Sequence, residues 1–165
     1  MVFYREMDSP VGRLLLFGAA AGLAGIHFQS GAKPMPIDPR WTSDPGALEP
    51  VVRQLKEYFS GERRTFAIAL AAQGTPFQRS VWTALQTIPF AAARSYGDIA
   101  RQIGRPRAYR AVGRANGANP WPIVVPCHRV IGSDRSLTGF GGGVEIKRAL
   151  LQLEAGYGAL GGVRS

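Results

Sequence analysis

Two side chains that could carry out nucleophilic chemistry stand next to each other in this chain. Cys127 is the only cysteine, and His128, one of two histidines, follows it in the segment IVVPCHRVIG at residues 123–132. A cysteine becomes a nucleophile as the thiolate, which requires a nearby base or cation, and an imidazole can be that base. Lone cysteines are more often small buried hydrophobic residues, however, and consecutive side chains of an extended segment point to opposite faces. The pair is therefore expected to cooperate only if the chain bends after Pro126.

A carboxylate later in the chain could complete a catalytic arrangement. Glu154 lies in the segment EIKRALLQLEAG, in which Leu150, Leu153 and other apolar residues recur at helical spacing. This pattern predicts a C-terminal helix with Glu154 at the edge of its apolar face. From there the carboxylate could orient His128 and give a Cys-His-acid arrangement like that of thiol hydrolases. The residues alone leave open whether Cys127 is a packed core residue or a nucleophile.

Length and composition restrict the class of protein. The chain has 165 residues, of which 45% are hydrophobic, so one domain or two small ones with a sizeable core can form. No apolar run approaches the roughly 18 residues of a membrane span, and the charged N-terminus MVFYREMDSP is unlike a signal peptide. A single cysteine excludes an internal disulfide and fits a reducing compartment, so a soluble, cytoplasmic protein is expected. No Cys and His cluster has zinc-ligand spacing, and neither a metal nor a cofactor is expected.

The positive charge of the chain is concentrated in one segment. Lysine and arginine together number 20 against 11 acidic residues, which gives a net charge of +9. Such an excess favours a polyanionic partner, because phosphate binding releases counterions. Six arginines fall within 21 residues in which Asp98 is the only acid: Arg94, Arg101, Arg105, Arg107, Arg110 and Arg114.

The N-terminal part is predicted to be a small sheet with one helix. The segments VFYREMD, RLLLFGAA and GLAGIHFQ are apolar stretches separated by turn residues, as in an antiparallel meander, and His27 is expected to pack in the third of them. Helical spacing predicts a helix that ends at Gly61, and TFAIALA at residues 65–71 is predicted to be a further strand. The apolar residues with that helical spacing are Leu48, Val51, Val52, Leu55, Tyr58 and Phe59.

The C-terminal part is predicted to be mainly helical. Thr75 is a suitable N-cap for a first helix, and Gln78 completes its capping box. A second helix is predicted from Ser95 to Gly104, and the basic segment RPRAYRAVGRANG at residues 105–117 is predicted as a third. Two short helices joined by a glycine-containing turn, the second of them basic, are typical of a helix-turn-helix.

The segment before Cys127 and the fold class follow from the same reasoning. Three prolines between residues 120 and 126 exclude a helix, and the residues between them favour extended geometry, so a buried, nearly straight segment is expected. The fold class is α+β. Residues 1–74 are expected to form a structural N-terminal domain with an antiparallel sheet and a helix, and residues 75–165 a mainly helical domain that contains the helix-turn-helix.

Five motifs in the C-terminal part resemble those of the O6-alkylguanine-DNA alkyltransferases, in the same order and spacing. They are TPFQRSVWTALQTIPF, RSYGDIA, RAVGRANGANP, VPCHRVIG and LTGFGGGVEIKRALLQLE, which together cover essentially all of residues 75–155. The N-terminal third resembles the family only in its length, its DSPVG hairpin and its general pattern. The resemblance implies direct reversal of O6-alkylguanine damage, and of O4-alkylthymine damage, by irreversible single-turnover transfer of the alkyl group to the protein after the base is flipped out of the duplex.

The resemblance also implies roles for residues around the thiol. Cys127 would accept the alkyl group, His128 would be its base through a water molecule, and Glu154 would hold the histidine. Asn119 would brace the active-site turn against the helix-turn-helix. Tyr96 would hydrogen-bond the flipped guanine and crowd its phosphate.

The partner implied by the resemblance is double-stranded DNA that contains O6-alkylguanine, bound through the minor groove, with no obligatory protein partner and no membrane. Arg110 would enter the duplex and fill the space that the flipped nucleotide leaves. Ala111 and Gly113 are small residues that would let the recognition helix approach closely. Arg107 and Arg114 would contribute to the DNA-binding surface.

Five residues are expected to line the substrate pocket, namely Phe140, Gly141, Val130, Pro122 and Trp121. The family commonly has tyrosine where this chain has Phe140, so the pocket wall would be kept and a hydroxyl lost. Trp121 is bulkier than expected at the pocket rim. Backbone N–H groups of the glycine loop GFGGG at residues 139–143 are candidates for contacting the guanine oxygen.

Two alternative functions remain for comparison. A DNA-damage binding protein without chemistry resembles this family but replaces the acceptor cysteine, which the presence of Cys127 argues against. A thiol hydrolase that uses Cys127, His128 and Glu154 would leave the arginine-rich helix-turn-helix without a role. The number of products made per protein molecule distinguishes a hydrolase from an alkyltransferase.

Overall fold

The structure is a computed structural model that describes residues 1–31, 33–137, 140 and 142–164, with side chains described as far as residue 158. The chain divides into two compact units, Met1–Ala72 and Gln73–Ser165. No helix within the described residues is both long and apolar enough to span a bilayer.

The first unit is built on a four-stranded sheet. Strands β1 (Phe3–Met7), β2 (Leu14–Ala19) and β3 (Gly22–Phe28) form the predicted antiparallel meander, and β4 (Thr42–Ser43) pairs in parallel with β1 in the order β3-β2-β1-β4. Helix α1 (Glu49–Phe59) follows a short 3₁₀ turn and confirms the predicted helix. The core is formed by fully buried residues of β2 and α1, among them Leu14, Leu15, Leu16, Leu55 and Tyr58.

The strand predicted for residues 65–71 is wrong over most of its length. Only Leu70 forms a bridge, a single parallel one to Leu23 of β3. The side chain of Gln54 in α1 takes the place of a partner strand at Ala67, donating from Nε2 to its carbonyl at 3.0 Å and accepting from its N–H at 2.8 Å. Because a side chain satisfies the backbone N–H and carbonyl of Ala67, this part of the segment does not need hydrogen bonds to a neighbouring strand. His27 is half-buried, and its Nδ1 is 2.9 Å from Oε1 of Gln29.

Within its described residues, the second unit contains four α-helices and a two-stranded parallel sheet. The helices are α2 (Pro76–Leu85), α3 (Tyr96–Gln102), α4 (Tyr109–Gly117) and α5 (Val144–Arg164), and the strands are β5 (Arg94–Ser95) and β6 (Val130–Ile131). The indole N–H of Trp82 in α2 donates to the carbonyl of Ala115 in α4 at 2.8 Å and ties these helices together. Fully buried side chains of α2, α3 and α4 fill the space between them: Val81, Leu85, Ile99 and Val112.

The predicted starts of α2 and α3 are confirmed by their capping boxes. The Gln78 N–H donates to Oγ1 of Thr75 at 3.1 Å, and the Thr75 N–H donates to Oε1 of Gln78 at 2.9 Å. The same reciprocal pair joins Ser95 and Asp98 at 3.0 and 2.9 Å. Each box satisfies backbone N–H groups that a helix N-terminus leaves without partners.

The basic helix α4 is shorter than predicted, because it begins at Tyr109 and not at Arg105. Gly104 adopts a φ of +77° after α3, and the N–H of Arg105 donates back to the carbonyl of Ala100 at 2.9 Å. The Ala108 N–H then donates to the Arg105 carbonyl at 2.9 Å. Residues 105–108 therefore form the turn of the helix-turn-helix, since the backbone of Arg105 already closes α3.

Candidate active site

The segment before Cys127 turns sharply, so the prediction of a nearly straight extended stretch is wrong. Ile123 has a φ of +74°, and the Val125 N–H donates to the carbonyl of Trp121 at 2.9 Å, which closes one turn of chain. Cys127 then opens a 3₁₀ turn, Cys127–Arg129. The bend after Pro126 that cooperation between the thiol and the imidazole requires is thus present.

Asn119 supplies hydrogen bonds that the prolines of this segment cannot make. Its Nδ2 donates to the carbonyl of Val125 at 2.8 Å, and its Oδ1 accepts from the Trp121 N–H at 3.0 Å. Proline has no backbone N–H, so side-chain groups must satisfy part of the turn. Asn116, one helical turn earlier and 1% exposed, donates from Nδ2 to the Cys127 carbonyl at 3.3 Å. Sequence reasoning missed Asn116, although a polar residue beside Val112 on the buried face of α4 was an available signal.

The Cys127 thiol is buried and protonated at neutral pH. It is 3% exposed, and burial raises its pKa to about 11, against the opposing effects of a hydrogen bond with the Asn119 side chain and the charge of Lys147. A buried thiol of this kind reacts only if a neighbouring base takes its proton as the nucleophile forms.

His128 has the arrangement of a base. It is fully buried, its Nε2 lies 2.5 Å from Oε2 of Glu154, and burial lowers its pKa below the ordinary value despite the attraction of that carboxylate. A carboxylate only accepts hydrogen bonds, so the neutral ring carries its proton on Nε2 and presents a lone pair at Nδ1. No side-chain or backbone group within the described part of the chain hydrogen-bonds Nδ1. The structure therefore brings together the predicted histidine and acid in a form that can accept a proton.

Glu154 is held by more groups than sequence reasoning anticipated. It is fully buried, which corrects its predicted place at the edge of an apolar face. Arg129 donates from Nε to Oε1 at 2.8 Å and from Nη2 to Oε2 at 3.0 Å, and the Ala91 N–H donates to Oε1 at 3.1 Å. Burial alone would raise the pKa of this carboxyl, but the hydrogen bonds from His128 and Arg129 outweigh burial and hold the pKa well below the ordinary value.

Lys147 is a second buried cation that sequence reasoning missed. It is fully buried, and its Nζ donates to the Val130 carbonyl at 2.5 Å and lies 5.9 Å from the centre of the Tyr96 ring. Burial lowers its pKa to about 8, and the Cys127 thiolate would oppose that change. Leu150 lies three residues after Lys147 and Glu154 lies seven residues after it, so the three side chains share one face of the helix. This spacing was the available signal that Lys147 faces the site.

The short parallel pair β5–β6 places Tyr96 near the thiol segment. Arg94 pairs with Val130 and Ser95 with Ile131, so helix α3 begins directly beside the residues that follow the 3₁₀ turn. Tyr96 is half-buried, and a Cβ built on Gly113 of α4 would lie 3.8 Å from its ring. The ring therefore faces both α4 and Lys147.

The predicted pocket residues are only partly brought together. Val130 and Pro122 are buried near the turn, and Phe140 is half-buried, with its carbonyl accepting from the Gly143 N–H at 3.1 Å. Trp121 is 5% exposed and packs edge-to-face against Trp82 at a centroid distance of 5.5 Å, so it belongs to the core and not to an open rim. Gly141 lies outside the described residues.

The predicted DNA-binding residues lie on the helix-turn-helix. Arg110 and Arg114 of α4 are exposed, as is Arg107 in the turn before it, whereas Ala111 and Gly113 are half-buried. The remaining arginines of the basic segment are exposed too: Arg94, Arg101 and Arg105. Tyr109, at the start of α4, is 49% exposed, and its ring lies 5.8 Å from the guanidinium carbon of Arg110. A positively charged helix with an exposed aromatic at its start is suited to contact nucleic acid.

No group of three or more His, Cys, Asp or Glu side chains in the described ranges could hold a metal ion. The chemistry available at this site is that of a buried thiol, an oriented neutral imidazole and two buried cations.

Two family models match the chain. Residues 2–72 match the model "6-O-methylguanine DNA methyltransferase, ribonuclease-like domain", and residues 76–156 match "6-O-methylguanine DNA methyltransferase, DNA binding domain".

Individual proteins agree with these matches. The chain is similar to the methylated-DNA--protein-cysteine methyltransferase of Mycobacterium tuberculosis, with 52% identity over 154 residues, which are 93% of each chain. The protein of the same name from Methanosarcina acetivorans is 46% identical over 153 residues, covering 93% of this chain and 98% of the relative. The crystal structure of Mycobacterium tuberculosis OGT in complex with DNA shares 50% identity and a TM-score of 0.86, with 94% of each chain covered. The chain therefore belongs to the 6-O-methylguanine DNA methyltransferase family.

Proposed function

We propose that this protein repairs double-stranded DNA by transferring the alkyl group of O6-alkylguanine, and of O4-alkylthymine, to the sulfur of its own Cys127. The observation that carries the proposal is the buried array in which Glu154 holds His128 at 2.5 Å, directly after the one thiol of the chain. Family membership supports the substrate, because the matching relatives are named methylated-DNA--protein-cysteine methyltransferases.

The chemical step begins with removal of the thiol proton. His128 accepts that proton at Nδ1, through a water molecule, and Glu154 stabilises the imidazolium that forms. The thiolate then attacks the alkyl carbon. The new S–C bond forms as the C–O6 bond breaks, and the electron pair of that bond goes to the guanine oxygen.

The departing guanine accumulates negative charge that the protein must stabilise. Tyr96 is the proposed hydrogen-bond donor to the base, because its ring is half-buried beside the thiol segment and α4. Lys147 supports the same step, since its ammonium group lies 5.9 Å from that ring and interacts with the Cys127 thiolate. Asn119 holds the turn that presents the sulfur.

The product explains why one molecule repairs one lesion. Transfer leaves a thioether, and a thioether sulfur has no proton to give up and no ready leaving group. Neither His128 nor Glu154 can hydrolyse a carbon–sulfur bond by the acid–base chemistry available here. The protein is consumed in the reaction, in contrast to a thiol hydrolase built from the same three residue types.

The alkylated base must leave the duplex to reach the thiol. Cys127 is 3% exposed, and an O6-alkyl group inside a stacked pair cannot enter such a site, so the nucleotide is flipped at a cost of a few kcal/mol. Arg110 fills the space in the duplex, and Arg107 and Arg114 contact phosphates to offset this cost. Helix α4 docks in the minor groove, where the small Ala111 permits close approach.

The remaining parts of the proposal concern organisation. We assign the alkyl-acceptor and DNA-binding roles to residues 75–165 and a structural role to residues 1–74, because the thiol array and the arginine-rich helix-turn-helix both belong to the second unit. Val130, Pro122 and Phe140 line the pocket around the alkyl group. A cytoplasmic location accords with a free thiol and a DNA substrate, and no obligatory protein partner is required.

Intact-protein mass spectrometry after incubation with duplex DNA containing O6-methylguanine tests this function. The protein should gain the mass of one CH₂ group, with peptide mapping placing the methyl on Cys127, and the guanine should be restored. Cys127→Ser should bind the same DNA and gain nothing. Release of free methanol with many products per protein would indicate a hydrolase, and DNA binding without any transfer would indicate a damage-binding protein. Either result contradicts the proposal.

A further inference from the structure

Arg129 is a buried arginine whose guanidinium contacts a carboxylate, a backbone carbonyl and an aromatic ring. It is 4% exposed, and its guanidinium donates to both carboxylate oxygens of Glu154, at 2.8 and 3.0 Å. The third nitrogen, Nη1, donates to the carbonyl of Ile88 at 2.8 Å, and the guanidinium carbon lies 5.7 Å from the ring centre of Phe90. The planar group is thus fixed on three sides.

These contacts also connect three separate segments of the second unit. Arg129 binds the Ile88 carbonyl, while the N–H of Ala91 binds the same carboxylate that Arg129 holds. Ala91 has a φ of +65°, a backbone conformation that a residue other than glycine adopts only when its surroundings impose it. The loop after α2, the 3₁₀ turn and α5 therefore meet at the Glu154 carboxylate, whose rotation is blocked by donors on both oxygens.

The charges of the buried cluster explain what the arginine does for the imidazole. A buried carboxylate needs a positive charge close to it. If the imidazole were its only neighbour, the ring would tend to bind a second proton, and the resulting imidazolium would compensate the carboxylate. An imidazolium cannot accept the thiol proton. With Arg129 bound, the negative charge of the carboxylate is already compensated by the guanidinium. His128 then only has to donate a hydrogen bond from Nε2, which the neutral ring can do.

We propose that Arg129 is a positioning residue for alkyl transfer, which fixes the Glu154 carboxylate and keeps His128 in the neutral form that can accept the Cys127 proton. The inference rests on the proposed function of this site. The contacts of Arg129 are with Glu154, the Ile88 carbonyl and the Phe90 ring, so it acts through Glu154.

Four groups that can carry a charge surround the imidazole within the described part of the chain. Glu154 and Lys147 face it from α5, and Arg129 and the Cys127 thiol belong to its own turn. The helices α2 and α4 also contact the turn, and their buried residues are uncharged. Of these groups only Glu154 favours the imidazolium, and Arg129 is the cation in direct contact with Glu154 on both oxygens.

The test uses three variants of the full chain. Arg129→Met removes the charge, and Arg129→Lys keeps it but cannot bridge two oxygens and a carbonyl with one ammonium group. Arg63→Met is the matched control, because Arg63 also pairs with a carboxylate, Glu57, at 3.0 Å and with a backbone carbonyl, but in the first unit. Each protein is titrated by NMR of its imidazole signals in a His27→Gln background, which leaves one histidine. The rate of transfer from O6-methylguanine DNA is measured over the same pH range.

The expected result has two parts. In Arg129→Met the titration midpoint of His128 rises by about one pH unit or more, and the acidic limb of the rate profile moves up with it. In Arg129→Lys the midpoint stays near that of the parent while the plateau rate falls about tenfold, because the carboxylate is no longer held at both oxygens. Arg63→Met leaves both measurements at the parent values.

Two results overturn the inference. One is a folded Arg129→Met protein whose His128 midpoint and acidic limb match the parent. The other is an Arg129→Lys protein that transfers methyl at the parent rate at every pH. This second result decides the question if Arg129→Met does not fold. The NMR titration needs no substrate, so it reports on Arg129 even if the parent protein accepts no alkyl group, an outcome that would refute the proposed function instead.

Discussion

Replacing Lys147 with methionine should stabilise this protein and slow its reaction at the same time. Lys147 is fully buried, with its ammonium group bound to the Val130 carbonyl and close to the Tyr96 ring. Methionine is also unbranched and adapts to irregular space in a core, so Lys147→Met removes the charge with little change in packing.

The magnitude follows from the cost of burying the ammonium group. Burial lowers the pKa of Lys147 from 10.5 to about 8, and each unit corresponds to 1.36 kcal/mol, so the charged form is destabilised by about 3 kcal/mol in the folded state. The variant loses the hydrogen bond to Val130 and leaves its carbonyl without that donor, which costs about 1–2 kcal/mol. The net expectation at pH 7 is a gain of about 1–2 kcal/mol in the free energy of unfolding. At roughly 2–4 °C per kcal/mol, the melting temperature should rise by several degrees.

The pH dependence has a definite sign. The unfolded chain binds a proton at Lys147 up to its ordinary pKa of 10.5, whereas the folded protein releases that proton above about 8. The parent therefore gains stability from this group as pH rises from about 8 to 10.5, and the variant does not. The advantage of Lys147→Met should be full below about pH 8, shrink above it and reverse as the pH approaches 10.5, where only the lost hydrogen bond to Val130 remains.

The reaction should respond in the opposite direction. Without the cation the pKa of Cys127 rises further, and one added unit means about tenfold less thiolate at any pH below that pKa. Urea unfolding at several pH values measures the stability, and methyl transfer from O6-methylguanine DNA measures the rate. Lys56→Met, at an exposed position of α1, is the control and should change neither. A Lys147→Met protein that is less stable than the parent at pH 7, or that transfers methyl at the parent rate, would refute this reasoning.

Two further predictions concern DNA and the alkylated product. Arg110→Ala should slow transfer from duplex DNA far more than transfer from free O6-benzylguanine, which needs no flipping, and equal losses on both substrates would show that Arg110 has another role. Alkylation of Cys127 should lower the melting temperature, more for benzyl than for methyl. Cys127 is 3% exposed, nearby Val125 and Val130 are fully buried, and overpacking of a filled core costs about 1–3 kcal/mol. Calorimetry of the reacted protein checks this, and an unchanged or higher melting temperature would contradict it.

Local signals in the sequence predicted much of the fold. The capping boxes at Thr75 and Ser95 start α2 and α3 as expected, because a cap depends on hydrogen bonds within four residues. The three N-terminal strands and α1 follow from apolar periodicity in the same way. The predicted strand at residues 65–71 failed because Gln54, distant in sequence, satisfies the backbone of Ala67.

For the site, the sequence by itself determined which groups can do chemistry. The residue types alone left open whether Cys127 is a nucleophile, and the resemblance of the motifs around PCHRV and Glu154 to a known family supplied the predicted acceptor, base and acid. Family membership extends over both units, including the N-terminal third in which the motifs were weak.

The tertiary structure alone decided the electrostatics of the site. Neither Arg129 nor Lys147 was assigned a role from the sequence. Both are buried because the loop after α2, the 3₁₀ turn and α5 converge there, which places one cation on the Glu154 carboxylate and the other beside Cys127. Burial strengthens the effect of each charge by removing the water that would screen it, and burial is a property of how distant segments pack.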